Sequence, residues 1–479
     1  MKRGWWLAAA VLAPRLVVLF LNENLAGDAI VRTWIAHRWL DAPHFMTSFD
    51  DGARQFGPLH LYLLAGAELI WPSLTHAGRV LSLLAGVLTA WPLYSFTARR
   101  FGESAATFAV LGFALWGLHV QCSTTSASEA LNLLLVMSAV ALFDAERRGA
   151  AVLMLNLACA TRYDSWLLVP VLALAELWRS RDLAKAVGFG TSASAFAFFW
   201  LIGNQVGQGD ALYPIRFIDQ FHRDWWPREA RIWDEGPYRL MCLFFWPGAA
   251  VLMLTPFFAV AGFVMLARSW KERPELRWLV VLIVLPVVLY TLRSAVTASF
   301  APLARFTMKE VLLLLPFAGW GLANQGPRFA WASVTIAAMW GVGLGLYCFE
   351  PNSRWSYTMR SISATSRLEP SVRVSTEWLQ ANAAPMGGLL IADEDPREFN
   401  DLIITYFSGL AFENQVRRRH DHYVELIGAR VPHWLMLFDE GKMVRTQEVT
   451  LVDPQHVEFR GHRFQLRHDA RVKVFERVD

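Results

Sequence analysis

Asp28 is the first residue whose type and position suggest a chemical task. It follows Gly27 a few residues beyond an opening apolar stretch, in a loop that also holds Arg32. A carboxylate held there could take the proton of an acceptor hydroxyl while a lipid-tailed reactant stays in a bilayer. The plain alternative is a solvated segment rich in acid, since Asp41, His44, Asp50, Asp51 and Arg54 share it. Asp50 and Asp51 are the other acidic candidates, with the same alternative. Gly57-Pro58-Leu59-His60 then opens a further apolar run, where Pro suits the first turn of a helix because its missing N–H costs nothing. His60 would face the interface, either to bind a phosphate or a sugar hydroxyl or to pack and bond to backbone.

Further along, ionisable residues interrupt apolar stretches. Such groups are expensive in a membrane and are functional candidates by default. They are Arg15, Glu129, the Arg162-Tyr163-Asp164 turn, Arg293, and the pair Arg305 and Lys309. Arg305 and Lys309 are four residues apart, so both cations project from one helix face and repel unless an anion lies between them. The headgroup of a polyprenyl phosphate would be such an anion, and Arg293 could add a third cation. Pairing with Glu310, or snorkelling to headgroups, would also satisfy them. Arg162 and Asp164 could serve a site or could pair with each other and lock their turn. The sequence has no phosphate-cradling glycine loop with Lys, no His-rich metal cluster and no serine elbow, which argues against an ATP-driven pump and the common hydrolases.

The elements that must position these groups are helices in a membrane. The chain has 479 residues, 54% hydrophobic and only 18% charged, with a mean hydropathy of +0.30. A soluble domain of this length would carry more charge. The 22 Trp suit headgroup belts, and the net charge of +4 does not suggest nucleic acid. Cys122, Cys159, Cys242 and Cys348 stand singly, without metal spacing or a disulfide framework. Apolar segments at 5–21, 78–97, 102–120, 126–143, 149–161, 164–178, 185–203, 240–266, 278–296, 305–323 and 329–348 predict about eleven spans. The first is read as a retained span, because Asn22-Glu23-Asn24 follows it in place of a cleavage site. If 57–71 lies in the interface and does not cross, the clusters Lys2-Arg3, Arg99-Arg100, Arg147-Arg148, Arg179 to Lys185 and Arg268 to Arg277 all fall on the cytoplasmic side. The N-terminus is then inside. The outer face receives 22–77, 204–239 and the tail. The expected domains are a membrane unit over 1–349 and a small extracytoplasmic α/β domain over 350–479. In the tail, 388–392 and 434–438 read as strands and 396–410 as a helix.

Several stretches in this order resemble a known family. They are Gly27-Asp28-Ala29-Ile30-Val31-Arg32, Gly57-Pro58-Leu59-His60-Leu61-Tyr62-Leu63-Leu64, Ala77-Gly78-Arg79-Val80-Leu81-Ser82, Ala98-Arg99-Arg100-Phe101-Gly102, Ser126-Ala127-Ser128-Glu129-Ala130-Leu131 and Thr161-Arg162-Tyr163-Asp164-Ser165-Trp166. Together they resemble the GT-C superfamily of membrane glycosyltransferases, in particular the family 39 group related to protein O-mannosyltransferases and the lipid A aminoarabinose transferase. The resemblance covers the first 180 residues or so; the later spans match by pattern only. Relatives carry paired Pro where this chain has Gly57-Pro58, Glu-Gly where it has Asp164-Ser165, and an acidic pair where Asp28 precedes Ala29. A required second carboxylate would come from Asp50 or Asp51.

The resemblance implies an inverting transfer of a sugar from a polyprenyl-phosphate donor to a glycan, lipid or protein acceptor at the outer face of a bacterial inner membrane. Asp28 would be the general base, and Arg305, Lys309 and Arg293 would meet the departing phosphate. Such a leaving group departs readily beside cations, so no cofactor or metal is required. Trp225, Trp226 and Trp233 could stack on sugars or join an interfacial belt. The competing expectation is a transporter or lipid flippase. Against it stand the lack of two related halves and the large outer domain.

Overall fold

The computed structural model describes residues 2–26, 28–347, 361–395, 400–418 and 423–479. Gly27, Cys348, residues 396–399 of the expected tail helix, the start of the tail through 360, and the side chain of Trp233 lie outside the described residues. The chain forms two compact units, Met1–Ser366 and Arg367–Asp479, a division later in the sequence than 349/350.

The first unit is helical. In chain order its helices are α1 (Lys2–Leu21), α2 (Ala29–Asp41), α3 (Pro58–Ile70), α4 (Ala77–Leu88), α5 (Ala90–Phe101), α6 (Glu103–Leu115), α7 (Gly117–Ser123), α8 (Ser128–Asp144) and α9 (Arg148–Thr161). After these come α10 (Leu168–Ser180), α11 (Leu183–Ala193), α12 (Ala195–Gln208), α13 (Tyr213–Trp233), α14 (Glu235–Glu272), α15 (Arg277–Thr291), α16 (Met308–Asn324) and α17 (Pro327–Tyr347). Helices α8 and α16 are apolar and buried nearly all round, so they form the centre, with α6 and α14 packed on α16. Gly319 lets α16 approach α6 closely: a Cβ there would lie 2.2 Å from the Ala105 carbonyl oxygen.

Among the described residues, five helical stretches are long and apolar enough to cross a membrane, or seven when two bent pairs each count as one span. Trp5–Leu21 and Arg148–Thr161 are apolar but shorter. The expected eleven spans therefore do not all appear as helices of spanning length; α10 has 13 residues, about 20 Å against a core of about 30 Å. Helix α3 also has 13 residues. The span expected at 102–120 breaks at Trp116, where α6 and α7 meet at 65°. Arg15, fully buried, fills that break: Nη1 donates to the Val11 carbonyl (2.7 Å), and Nη2 lies 2.8 Å from His119 Nδ1 and 3.4 Å from the Phe113 carbonyl oxygen. This intramembrane cation thus satisfies the backbone of a broken helix. Helix α14 breaks at Thr255, with φ 70°, before Pro256. Pro256 has no N–H to offer Leu252, and Trp340 Nε1 donates to that carbonyl at 2.9 Å instead.

The segment 204–239, expected as a charged loop, is largely the single amphipathic helix α13. Its Trp226 is buried and donates Nε1 to the Ser294 carbonyl at 2.9 Å, so this ring is engaged in packing; Trp225 packs on Phe221.

The second unit is a seven-stranded mixed sheet with short helices. Its strands are β1 (Leu390–Ala392), β2 (Gln415–Arg417), β3 (Trp434–Leu437), β4 (Thr450–Asp453), β5 (His456–Phe459), β6 (His462–Asp469) and β7 (Lys473–Arg477), in the order β2-β1-β3-β7-β6-β5-β4. The first three are parallel and the rest antiparallel. Ile391, Leu435 and Phe475 run through its core. Both expected strands and the described part of the expected helix, Asn400–Phe407, are present.

Candidate active site

Asp28 holds the N-cap position of α2 in a left-handed conformation, φ 59° and ψ 25°, yet its side chain makes no capping bond. Aspartate is ordinarily favoured at this position because its carboxylate accepts from the helix's free N–H groups. Here the carboxylate turns elsewhere: Arg305 Nη1 lies 3.0 Å from Asp28 Oδ2. Arg305 sits in the short turn Ala304–Thr307 that leads into α16. One helical turn beyond Arg305, at the start of α16, Lys309 donates to Asp164 Oδ2. The two cations read from the sequence as one face are therefore each bonded to a carboxylate, and Lys309 is paired with Asp164, not with its neighbour Glu310.

Asp164 belongs to the Tyr163–Leu167 turn between α9 and α10. Arg162, extended at the end of α9, spans two acids: Nη1 donates to Glu129 Oε1 (2.7 Å) and Nε to Asp164 Oδ1 (3.2 Å). Ser165 Oγ pins the turn to Asn132 on α8 at 2.8 Å, and Tyr163 accepts from Trp200 Nε1 at 2.9 Å. The expected Arg162–Asp164 bond is present, extended by Glu129 and Lys309 into one network.

Gly57 brings α3 against this turn. A Cβ on Gly57 would lie 2.2 Å from the Ala160 carbonyl oxygen, so the start of α3 touches the end of α9 with no room for a side chain. That contact seats His60, which is fully buried with neither ring nitrogen hydrogen-bonded among the described residues. Burial first, then the charges of Arg32 and Arg162, hold its imidazole well below its ordinary value. His60 is therefore neutral at pH 7. Arg32 is 4% exposed and lies over the Phe56 ring at 3.8 Å. Its Nε and Nη1 have no partner among the described residues. Desolvation raises the Asp28 carboxyl, but the charges of Arg305 and then Arg32 outweigh it, and the net effect is a lowering.

Asp28, Arg32, His60, Glu129, Arg162, Asp164, Arg305 and Lys309 thus form one electrostatically linked group. Three candidates stand apart. Arg293 is bonded to Asp219 and to the Ser299 carbonyl (3.0 Å), with the Phe300 and Phe306 rings between it and Arg305. Asp51 accepts from the Thr47 backbone (2.8 Å) and pairs with His44 at 3.1 Å. Neither Asp51 nor the exposed Asp50 bonds to the group among the described residues.

Two residues that the sequence reading did not assign to the site, Glu310 and Tyr290, lie beside the group. Glu310, considered only as a partner for Lys309, lines with Asp164 and Lys309 the polar end of a narrow groove. The rest of that groove is apolar, formed by Leu167, Leu168 and Val171 near α10, Leu282, Leu285, Pro286 and Leu289 on α15, and Leu313 on α16. Tyr290, buried with an unbonded hydroxyl among the described residues, interacts electrostatically with Lys309 and Glu310. Nothing local in the sequence signals this groove, because three separate helices make it.

No protein-family model matches the sequence, and no curated protein matches it. Solved structures do. ArnT from Cupriavidus metallidurans in the apo state is 12% identical, with 99% of this chain and 98% of that chain covered at a TM-score of 0.65. The same protein bound to undecaprenyl phosphate gives the same identity and coverage at 0.64. The Archaeoglobus fulgidus oligosaccharyltransferase in complex with Zn and sulfate is 14% identical, over 89% of this chain and 67% of that chain, at 0.50. The chain therefore shares the fold of ArnT over nearly its whole length.

Proposed function

We propose that the protein transfers a sugar from a polyprenyl-phosphate donor to an acceptor hydroxyl, with Asp28 as general base, at the outer face of a bacterial inner membrane. The observation that carries this reading is the groove whose apolar length ends at the Asp164–Lys309 pair, within the ion network that includes Asp28. An apolar groove that ends at a lysine within an ion network offers a hydrocarbon tail one end and an anionic head a cation at the other, Lys309, which shares that end with Asp164 and Glu310. Leu167 and Leu285 are among the exposed large apolar side chains, as expected of a groove that opens to lipid. The shared fold with a protein solved with undecaprenyl phosphate points the same way.

In the reaction, the acceptor oxygen forms a bond to the anomeric carbon as the bond from that carbon to the phosphate oxygen breaks. The electron pair leaves with the phosphate, where Lys309 and Arg305 meet its charge. The hydroxyl proton passes to Asp28. Attack opposite the leaving group inverts the anomeric centre. Arg293 lies outside this scheme, since it is bonded to Asp219. The cations of the step are side chains, and the reading assigns no cofactor.

The test is to incubate the purified protein in lipid with a panel of polyprenyl-phosphate sugars and an acceptor-containing membrane extract, and to follow release of polyprenyl phosphate. Wild type should release it from one donor. Asp28→Asn should lose about 10²-fold or more in rate, the scale of a general base, while remaining folded. Full activity in Asp28→Asn sinks its role. Lipid movement across vesicles without any covalent product would favour a flippase instead.

A further inference from the structure

The two cations that the proposed reaction needs for the donor phosphate are already occupied by carboxylates. Arg305 is bonded to Asp28 at 3.0 Å and Lys309 to Asp164. The Lys309 side chain is 5% exposed and can act on the phosphate by its charge while still bonded to Asp164. For Arg305 the occupancy is a conflict. The same guanidinium cannot keep its full bond to the base and also meet a phosphate.

Arg32 resolves the conflict. It lies one turn along the helix that Asp28 begins, with its own backbone N–H donating to the Asp28 carbonyl at 3.0 Å. Its charge is second only to that of Arg305 among those acting on the Asp28 carboxyl. Of the cations in the network, Arg32 alone has no ion pair among the described residues, and its Nε and Nη1 are buried and unbonded. Two vacant N–H donors on a desolvated guanidinium are costly unless something uses them. The Asp28 side chain, 42% exposed and free of any capping bond, has the space to turn.

We propose that Arg32 is the positioning residue to which the Asp28 carboxylate passes when the donor phosphate takes Arg305. This inference rests on the transferase reading. Before the donor arrives, Asp28 fills the phosphate's place on Arg305. The phosphate displaces it; Arg32 then keeps the carboxylate ionised and steadies one oxygen, leaving the other for the acceptor hydroxyl.

Two measurements test it. The first needs no turnover: undecaprenyl phosphate is titrated into protein in nanodiscs. Asp28→Asn should bind it about tenfold more tightly than wild type, because a charged internal competitor for Arg305 is gone. Equal or weaker binding overturns the exchange while leaving the transferase reading intact. The second is the pH profile of kcat. Arg32→Gln should lower kcat about tenfold or more with little change in the donor KM, and should move the acid limb up by about one pH unit. Arg32→Lys, which keeps the charge, should restore the limb and keeps the test open if the Gln variant does not fold. An unmoved limb, or equal loss in both variants, reduces Arg32 to packing and overturns its role. A wild type that turns over no donor overturns the transferase reading and the role of Arg32 with it.

Discussion

Arg162 shows how much one side chain does at this site. It is bonded to Glu129 on α8 and to Asp164 in its own turn, and both acids are largely buried. Removing its charge leaves two uncompensated carboxylates in low dielectric, the situation that costs most among single substitutions. Arg162→Leu is expected to destabilise the first unit by about 3–5 kcal/mol, read as a lower melting temperature in detergent, and to abolish transfer. Arg162→Lys should recover part of the stability but not the two-acid bridge, because an ammonium lacks the guanidinium's fork. The Arg162–Asp164 bond was legible in the sequence because the partners are two residues apart. The bonds from Arg305 to Asp28 and from Lys309 to Asp164 were not, since 277 and 145 positions separate them. Local reasoning offered Glu310 to Lys309, but adjacent residues on a helix point about 100° apart and do not face each other.

Among elements, the seating of α3 on α9 decides where His60 stands. Pro58 was legible as the first helical turn, but Gly57 only as part of a motif. The structure supplies the reason: Gly57 abuts the Ala160 carbonyl. Gly57→Ala forces backbone to move at a junction that also carries Arg162. The expected cost is about 1–3 kcal/mol of overpacking, with transfer lost more steeply than stability because the Arg162 turn shifts. Parallel thermal melts and donor-release assays would check this; a variant with wild-type activity would show that the junction tolerates the shift. Other elements were hidden for physical reasons. Helix α13 places charge and Trp on one continuous amphipathic turn pattern, which composition alone reads as loop. The α6–α7 break escapes hydropathy because the segment stays apolar through it, and only the distant Arg15 betrays that backbone groups there need a partner.

At the scale of the whole molecule, the sequence divided membrane unit from tail by composition, and the tail's central strands were legible because they are short continuous apolar runs. Strands β4 to β7 were not: β4 is exposed throughout and β6 alternates polar residues with few apolar ones, so neither offers a buried run to recognise. The two units have separate cores, so the full chain in detergent should unfold in two steps. The steps should differ in their response to pH. In the tail, Asp393 after β1 is fully buried; its Oδ1 accepts from the Met443 and Glu394 backbone N–H groups at 2.8 Å each, while Oδ2 has no partner among the described residues. Burial pushes its carboxyl up to about 6, against which these backbone bonds pull only partly. In the unfolded chain the same group ionises near its ordinary value of 3.8. Between these values the native tail holds a proton that the unfolded chain has lost, so the tail loses stability as pH rises from about 4 to about 6 and does not regain it above. The full effect is about 3 kcal/mol. Asp393→Asn keeps the Oδ1 acceptor and cannot ionise. Its tail transition should therefore stay level across that window while the wild-type transition falls, and an identical slope in the two proteins would assign the pH dependence to another group.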